Sequence, residues 1–150
     1  MEQRRLKLLL DTNVLLDVLC PENRPSSTAS ACIFKAIKEG RLEGEISTQS
    51  IVDAAYVASQ TEGRMVEAFR SKIMELSNYV NIDSMDFFCV MKAVKDCTGD
   101  FEDDAQFAFA YDTACDYVVT GDKDFIFRCG KKSPHIKFIT PEEALARLRS

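Results

Sequence analysis

Two apolar stretches bracketed by acids restrict the fold of this chain more than any other feature. Between Asp96 and Asp124 stand nine carboxylates (Asp96, Asp100, Glu102, Asp103, Asp104, Asp112, Asp116, Asp122 and Asp124) and one base, Lys123. Among them run Phe101 to Ala114 and Tyr117 to Val119, apolar enough to be core. Acids therefore sit at both ends of two buried elements, where like charges repel unless something cationic neutralises them. A divalent metal ion is the simplest such cation, because hard cations take carboxylate oxygens. A solvated acidic helix followed by an acidic turn is the plain alternative. The window carries −8 within a chain of net charge −5, which leaves the remainder at +3. Its basic residues, Arg4, Lys72, Arg64, Arg128 and Lys132 among them, are available for phosphate contacts around an acidic centre.

The rest of the chain alternates short apolar runs with helical periodicity. Leu6–Leu10 reads as a buried strand ending at Asp11, and Thr12 or Asn13 can cap the helix carried by Val14, Leu15, Leu16, Val18 and Leu19. After a turn from Pro21 to Pro25, Ser26 or Ser27 opens a second helix that stops at Gly40. Glu45–Ser47 is a weakly signalled strand, and a third helix capped by Thr48 or Ser50 runs to about Gln60 with Asp53 in its first turns. Gly63 separates this from a helix over Met65–Leu76. Strand Tyr79–Ile82, a helix starting at Asp83 or Ser84, helix Phe101–Ala114, strand Tyr117–Thr120, a turn and short helix over Gly121–Phe127 and strand Lys137–Ile139 follow. Thr140, Pro141 and Glu143 form a capping-box start for the closing helix, which ends at Leu148. Strands alternating with helices predict right-handed βαβ units and a parallel sheet covered on both faces. At 150 residues, without repeats or linkers, the chain reads as one domain, 1–150.

In an open parallel sheet, binding groups collect at the carboxyl ends of the strands. Asp11 follows the first strand, and Asp122 follows strand Tyr117–Thr120 by two residues. Asp53 and Asp103 lie in the first turns of helices that begin at the same edge. Four acids distant in sequence are thus expected at one rim. Asp11 as an N-cap and Asp53 as a first-turn acid favoured by the helix dipole stand as structural readings beside this one. Helical spacing aligns Asp103 with Phe107, Ala110 and Ala114, and Asp104 with Ala108 and Tyr111, so spacing leaves both open.

Other classes fit poorly. No apolar run approaches the roughly 18 residues of a membrane span. Asp11 and Asp17 interrupt the apolar start, which reads as the first strand and helix of a cytoplasmic domain rather than as a signal peptide. The six cysteines include no C-x-x-C pair, and the single His135 gives no zinc-like cluster, so buried free thiols in a reducing compartment are expected. No G-x-G-x-x-G follows Leu6–Leu10, against dinucleotide binding. An aspartyl-phosphate phosphatase of the haloacid-dehalogenase type needs a second Asp where Asn13 stands.

LLLDTNVLLDVL, STQSIVDAAYVAS, DFEDDAQFAFAY and DYVVTGDKDF resemble, in order and spacing, the four motifs of PIN-domain proteins. The resemblance spans nearly the whole chain. It implies a three-layer α/β/α sandwich with a central, mainly parallel sheet and a metal-dependent ribonuclease site of three or four acids. Matched singly, Asp11 falls on the first acid with Thr12 and Asn13 in the D-T/S-N context, Asp53 on the second, Asp103 on the third and Asp122 on the fourth. The motif thereby selects Asp103 over Asp104. The second position is more often Glu in the family, and Asp53 is one methylene shorter.

The function so implied is endonucleolytic hydrolysis of RNA by a water activated on carboxylate-bound Mg²⁺ or Mn²⁺. Asp11, Asp103 and Asp122 are the expected metal ligands, and Asp53 closes the cage. Thr12, Asn13 and Thr120 are candidates to orient water or phosphate, and Asp100 and Asp124 to assist through water. Small members of the family are toxins of bacterial toxin–antitoxin pairs, which sets an antitoxin protein, a homodimer and RNA as the expected partners, with no membrane. The competing reading is a PIN-like scaffold without useful activity that binds RNA or a protein.

Overall fold

The computed structural model describes residues 3–60 and 65–150, so Gly63 and Arg64 lie outside the described residues. Five parallel strands form one sheet in the order β3-β2-β1-β4-β5. They are β1 (Lys7–Leu10), β2 (Glu43–Ser47), β3 (Asn81–Asp83), β4 (Tyr117–Val119) and β5 (Lys137–Ile139). The register pairs Leu9 with Glu45 on one side and with Val118 on the other. Helices α1 (Thr12–Leu19) and α2 (Ser27–Lys38) connect β1 to β2, and α3 (Thr48–Gln60) and α4 (Met65–Leu76) connect β2 to β3. Helices α5 (Phe87–Asp96) and α6 (Phe101–Asp112) return the chain to β4. Helix α7 (Lys123–Cys129) leads to β5, and α8 (Pro141–Arg149) closes the chain.

Strand alternation makes the three layers. Leu8, Leu10, Ile46, Val119 and Ile139 face one core with residues of α1, α2, α3, α4 and α8. Leu9 and Val118 face the other, with Phe107 and Phe109 of α6, Cys89 of α5, and Phe125 and Cys129 of α7. Side chains of the size of Leu10, Leu15 or Ile33, fully buried here, each contribute about 1.5–3 kcal/mol by leaving water. Gly44 lets Ile37 pack closely on β2, since a Cβ there would stand 2.7 Å from Ile37 Cδ1 and push that methyl aside. The three-layer α/β/α architecture is therefore as expected, and so is the parallel sheet. Among the described residues no helix is long and apolar enough to cross a membrane.

Several boundaries differ from the sequence reading, for local reasons. Asp11, rather than Thr12 or Asn13, is the N-cap of α1. Tyr79 and Val80 are not in β3; their N–H groups donate to Leu76 O and finish α4, so their apolar side chains serve packing instead of pairing. Asp83 belongs to β3 opposite Ser47, and α5 starts later, behind Asp86, whose carboxylate accepts from the Cys89 N–H at 3.2 Å. Helix α6 stops at Asp112, and Ala114 beyond it has a left-handed backbone with φ 56°. The capping box of α8 forms as the sequence reads, with Thr140 and Glu143 bonded reciprocally. Phe87, Phe88, Phe125 and Phe127 do not share one fate: Phe125 is fully buried, whereas Phe127 is 88% exposed and Phe87 and Phe88 are also on the surface. All six cysteines are free thiols; Cys89, Cys115 and Cys129 are buried.

Candidate active site

The chain runs outward in both directions from β1, through β2 to β3 and through β4 to β5, so β1 and β4 flank the point where the strand order switches. In such sheets the crevice at that point, beyond the carboxyl ends of the strands, is where ligands bind. Asp11 leaves β1 there and Asp122 follows β4. The two are fastened by one hydroxyl. Thr120 Oγ1 donates to Asp11 Oδ2 at 2.7 Å and accepts from the Asp122 N–H at 3.0 Å. Asp11 Oδ1 accepts the Thr12 N–H at 2.9 Å, which makes it both a helix cap and a rim acid. Asp122 likewise caps α7, accepting from the N–H groups of Asp124 and Phe125.

Asp103 stands in the first turn of α6, placed by the Asp100 N-cap, whose Oδ1 accepts the Asp103 N–H at 3.0 Å. Its own Oδ2 accepts from Arg128 Nη2 at 3.1 Å, and Asp100 Oδ2 lies 3.5 Å from the same nitrogen. Asp104, next in sequence, goes elsewhere. It is fully buried, takes the Lys132 Nζ at 2.6 Å, and accepts from both the N–H and the hydroxyl of Thr98. Burial opposes its charge, yet these bonds hold Asp104 below the ordinary carboxylate range. One residue along α6, a rotation of about 100°, thus separates a rim acid from a structural one.

Asp53, half-buried on α3, accepts from Gln49 Nε2 at 2.8 Å. A hydroxyl and amide network lies beneath the rim and joins three elements. Thr12 Oγ1 donates to Ser50 Oγ at 3.0 Å, Gln106 Nε2 donates to the same oxygen, and Ser47 Oγ lies 3.2 Å from it. Ser47, Ser50 and Gln106 are all buried. This network ties the starts of α1 and α3 to α6 one turn below Asp103. Asn13 is exposed, and its carbonyl accepts from Arg24 Nη2 at 3.0 Å, while Arg24 Nε pairs with buried Asp17 at 2.7 Å. Asp124 is exposed beside Asp122.

The acids feel one another. Burial raises Asp11 above its ordinary value, against the Thr120 and Thr12 hydrogen bonds, and the charge of Asp122 adds to the rise. Burial pushes Asp103 up to about 6, with the charges of Asp100 and Asp122 adding and Arg128 opposing. Glu102 is raised by burial first, then by the charges of Asp53, Asp11, Asp100 and Asp103. All four expected acids therefore lie within electrostatic reach of a common rim. Glu102, counted in the sequence only among the nine acids of the window, is a fifth member, and Arg128, one of the bases expected around the acidic centre, pairs directly with Asp103 and Asp100.

The donor set suits a hard divalent cation: oxygen ligands from separate elements, partly desolvated and mutually repelling, so that a bound cation would cancel their repulsion and offset the burial that raises them. Among the described residues, one group brings three ligand-type atoms all within 4.8 Å of one another, and it is elsewhere: Asp86 and Cys89 of α5 with Asp112 of α6. The rim acids are spread more widely than that trio.

A family model of the PIN domain matches residues 7–124. The curated proteins contain no match. Among solved structures, VapBC2 from Rickettsia felis, bound to a DNA fragment from its promoter, is similar with TM-score 0.62 and 16% identity over 90% of this chain and 98% of that one. VapC20 of Mycobacterium tuberculosis, a Sarcin-Ricin loop cleaving toxin, is similar with TM-score 0.63 and 13% identity over 79% and 92%. PAE2754 from Pyrobaculum aerophilum has TM-score 0.64 and 16% identity over 96% of each chain. These likenesses concern the fold, and the family match covers all four acids of the rim. The chain belongs to the PIN-domain family.

Proposed function

We propose that this protein is a metal-dependent endoribonuclease, acting in the cytoplasm as the toxin of a toxin–antitoxin pair. The observation that carries the reading is the charge imbalance at the rim: Asp11, Asp53, Glu102, Asp103 and Asp122 interact there, and one arginine compensates two of the acids near it. Asp11 also caps α1 and accepts from Thr120, yet burial and the charge of Asp122 still raise it, as expected of a rim that takes a cation. RNA as substrate and an antitoxin as partner come from the likeness to a toxin that cleaves the Sarcin-Ricin loop and to toxin–antitoxin complexes.

In this reading Asp11, Asp103 and Asp122 hold Mg²⁺ or Mn²⁺, and Asp53 with Glu102 completes the negative field. The bound ion supplies a Lewis acid that activates a water and offsets charge developing on the phosphate oxygens. The protein's own part is positioning. Thr120 fixes the orientation of Asp11 Oδ2 relative to the Asp122 backbone. The Thr12–Ser50–Gln106 network keeps the starts of three helices from shifting under the repulsion of their acids. Asp100 accepts the Asp103 N–H and the Asp124 N–H donates to Asp122 Oδ1, which places both beside the rim to assist through water. Basic residues beyond the rim, outside its acidic field, supply sequence-independent attraction for the backbone.

The test is cleavage of a pool of structured and single-stranded RNA by purified protein with Mn²⁺, with Mg²⁺ and with chelator, beside Asp11→Asn and Asp103→Asn. Metal-dependent cutting that both variants lose while remaining folded is the expected result. A wild-type protein that cuts nothing under any metal, yet retains RNA or a partner, replaces the nuclease with a binding scaffold.

A further inference from the structure

Arg128 sits in the last turn of α7, the helix that Asp122 caps, with Phe125 and Cys129 holding that helix in the second core. Among the described residues it is the cation that pairs with rim acids; no lysine or other arginine forms an ion pair with Asp11, Asp53, Glu102 or Asp122. Its grip is incomplete. A single nitrogen, Nη2, serves both Asp103 at 3.1 Å and Asp100 at 3.5 Å. Nε is buried without an acceptor. A structural arginine usually meets a carboxylate with two parallel bonds. This one contacts the acids at one corner and leaves donors of its fork unspent.

That geometry matters because Asp103, whose Oδ2 Arg128 occupies, is one of the acids that would hold the proposed ion. A divalent cation and a guanidinium at neighbouring oxygens of one small carboxylate cluster repel, so each weakens the other's hold. A phosphodiester arriving at the rim offers Arg128 two non-bridging oxygens that its fork can take together, where Asp103 and Asp100 each present one oxygen to the same nitrogen. Resting on the nuclease reading above, we propose that Arg128 is a resident counter-cation: it competes with the divalent ion for Asp103 and moves onto the substrate phosphodiester when both bind. Metal and phosphodiester then reinforce one another, because drawing Arg128 to the phosphate vacates Asp103 for the ion, and the coupling is reciprocal.

The experiment is a titration of the full chain with Mn²⁺ alone, read by electron paramagnetic resonance of free Mn²⁺, with and without dimethyl phosphate as the smallest phosphodiester. Arg128→Gln is expected to bind Mn²⁺ roughly tenfold more tightly than wild type, a coupling of ordinary size. Dimethyl phosphate is expected to tighten Mn²⁺ binding in wild type and to leave it nearly unchanged in Arg128→Gln. Arg128→Lys keeps the charge and the helix surface, guards against a folding defect in the glutamine variant, and is expected to stay within about twofold of wild type for Mn²⁺ alone because the competing charge remains. Equal Mn²⁺ affinity in wild type and Arg128→Gln, while Asp11→Asn weakens both, overturns the role of Arg128 and leaves the metal site standing. Indifference of Mn²⁺ binding to Asp11→Asn in either background removes the metal-site reading itself.

Discussion

The two ends of the sheet both gather acids, and they treat them differently. At the amino ends of the strands, Lys7 Nζ lies 3.2 Å from Glu45 Oε2 and 4.0 Å from Glu43 Oε1, while Arg4 reaches Asp116 at 3.1 Å. Asp116 also accepts the Lys7 backbone N–H at 2.8 Å. Three acids there meet two bases inside the protein's own structure. At the carboxyl ends, five interacting acids have, among the described residues, Arg128 alone for an ion-pair partner, and it pairs with Asp103 and the neighbouring Asp100. A cluster balanced by its own chain is explained by folding. A cluster left unbalanced at a strand-switch crevice calls for something from outside, and that contrast is the physical basis for choosing a site.

The largest expected effect breaks the comparison at the rim. Asp103→Asn is expected to lower metal-dependent cleavage by about 10²–10³-fold, the scale of losing one well-placed electrostatic group. Its melting temperature in chelator should not fall, since the change removes a like charge. The neighbouring substitution inverts the pattern. Asp104→Ala leaves Lys132, which spans Asp104 and Asp96, without its buried partner. Breaking such a pair typically costs about 3 kcal/mol, read as a lower denaturation midpoint, while Mn²⁺ affinity of the folded fraction stays at the wild-type value. If Asp104→Ala loses metal and Asp103→Asn loses stability, the two acids have been assigned the wrong way round.

This pair also shows what the sequence reveals and what it hides. Asp11 and Asp122 are legible because a strand ending in an acid places that acid at the crevice whatever the rest of the chain does. Asp103 is legible only through its motif, since helical spacing serves Asp104 equally well. Glu102 was not singled out from the other acids, and Arg128 was named only as one of many bases, because each reaches the rim through tertiary approach: Glu102 toward α3, Arg128 across to α6. Gln106 in an apolar helix carries no local sign that it will meet Ser50. The fold was easier, because periodicity of 2 and 3.6 is a property of neighbours along the chain. Its misses at Tyr79 and Val80 come from apolar residues that close a helix instead of pairing, and the miss at Asp83 from a polar residue that ends a strand instead of capping a helix.

At the balanced end, Glu45 tests how complete the balance is. It is fully buried, neither oxygen makes a well-directed hydrogen bond, and burial with the nearby Asp83 pushes it up to about 8, against Lys7. Its value in the unfolded chain is near 4.5. Below that, both states hold the proton and the contribution is whole. Between pH 4.5 and about 8 the unfolded chain releases it while the folded one keeps it, so stability falls by at most about 1.4 kcal/mol per pH unit. Glu45→Gln removes this loss. It is expected to be more stable than wild type by up to about 4 kcal/mol at pH 8 and to converge with it below pH 4.5. Chemical denaturation of both proteins across that range checks it, and a difference independent of pH rejects the titration of Glu45 as its cause.

The smallest effect sharpens the rim itself. Asp53 is a methylene shorter than the glutamate more usual at its place, but Glu102 brings a longer carboxylate toward it, close enough for the two charges to interact. If Glu102 makes good the missing reach, Asp53→Glu should change Mn²⁺ affinity by no more than about threefold, since the cluster already has its longer arm. Glu102→Gln should weaken it more, and in the Asp53→Glu background the loss from Glu102→Gln should shrink. Non-additivity of that sign is what two groups sharing one task produce. Strict additivity makes Glu102 a bystander whose charge merely reaches the rim, and the acids contributed by the four motifs then act without it.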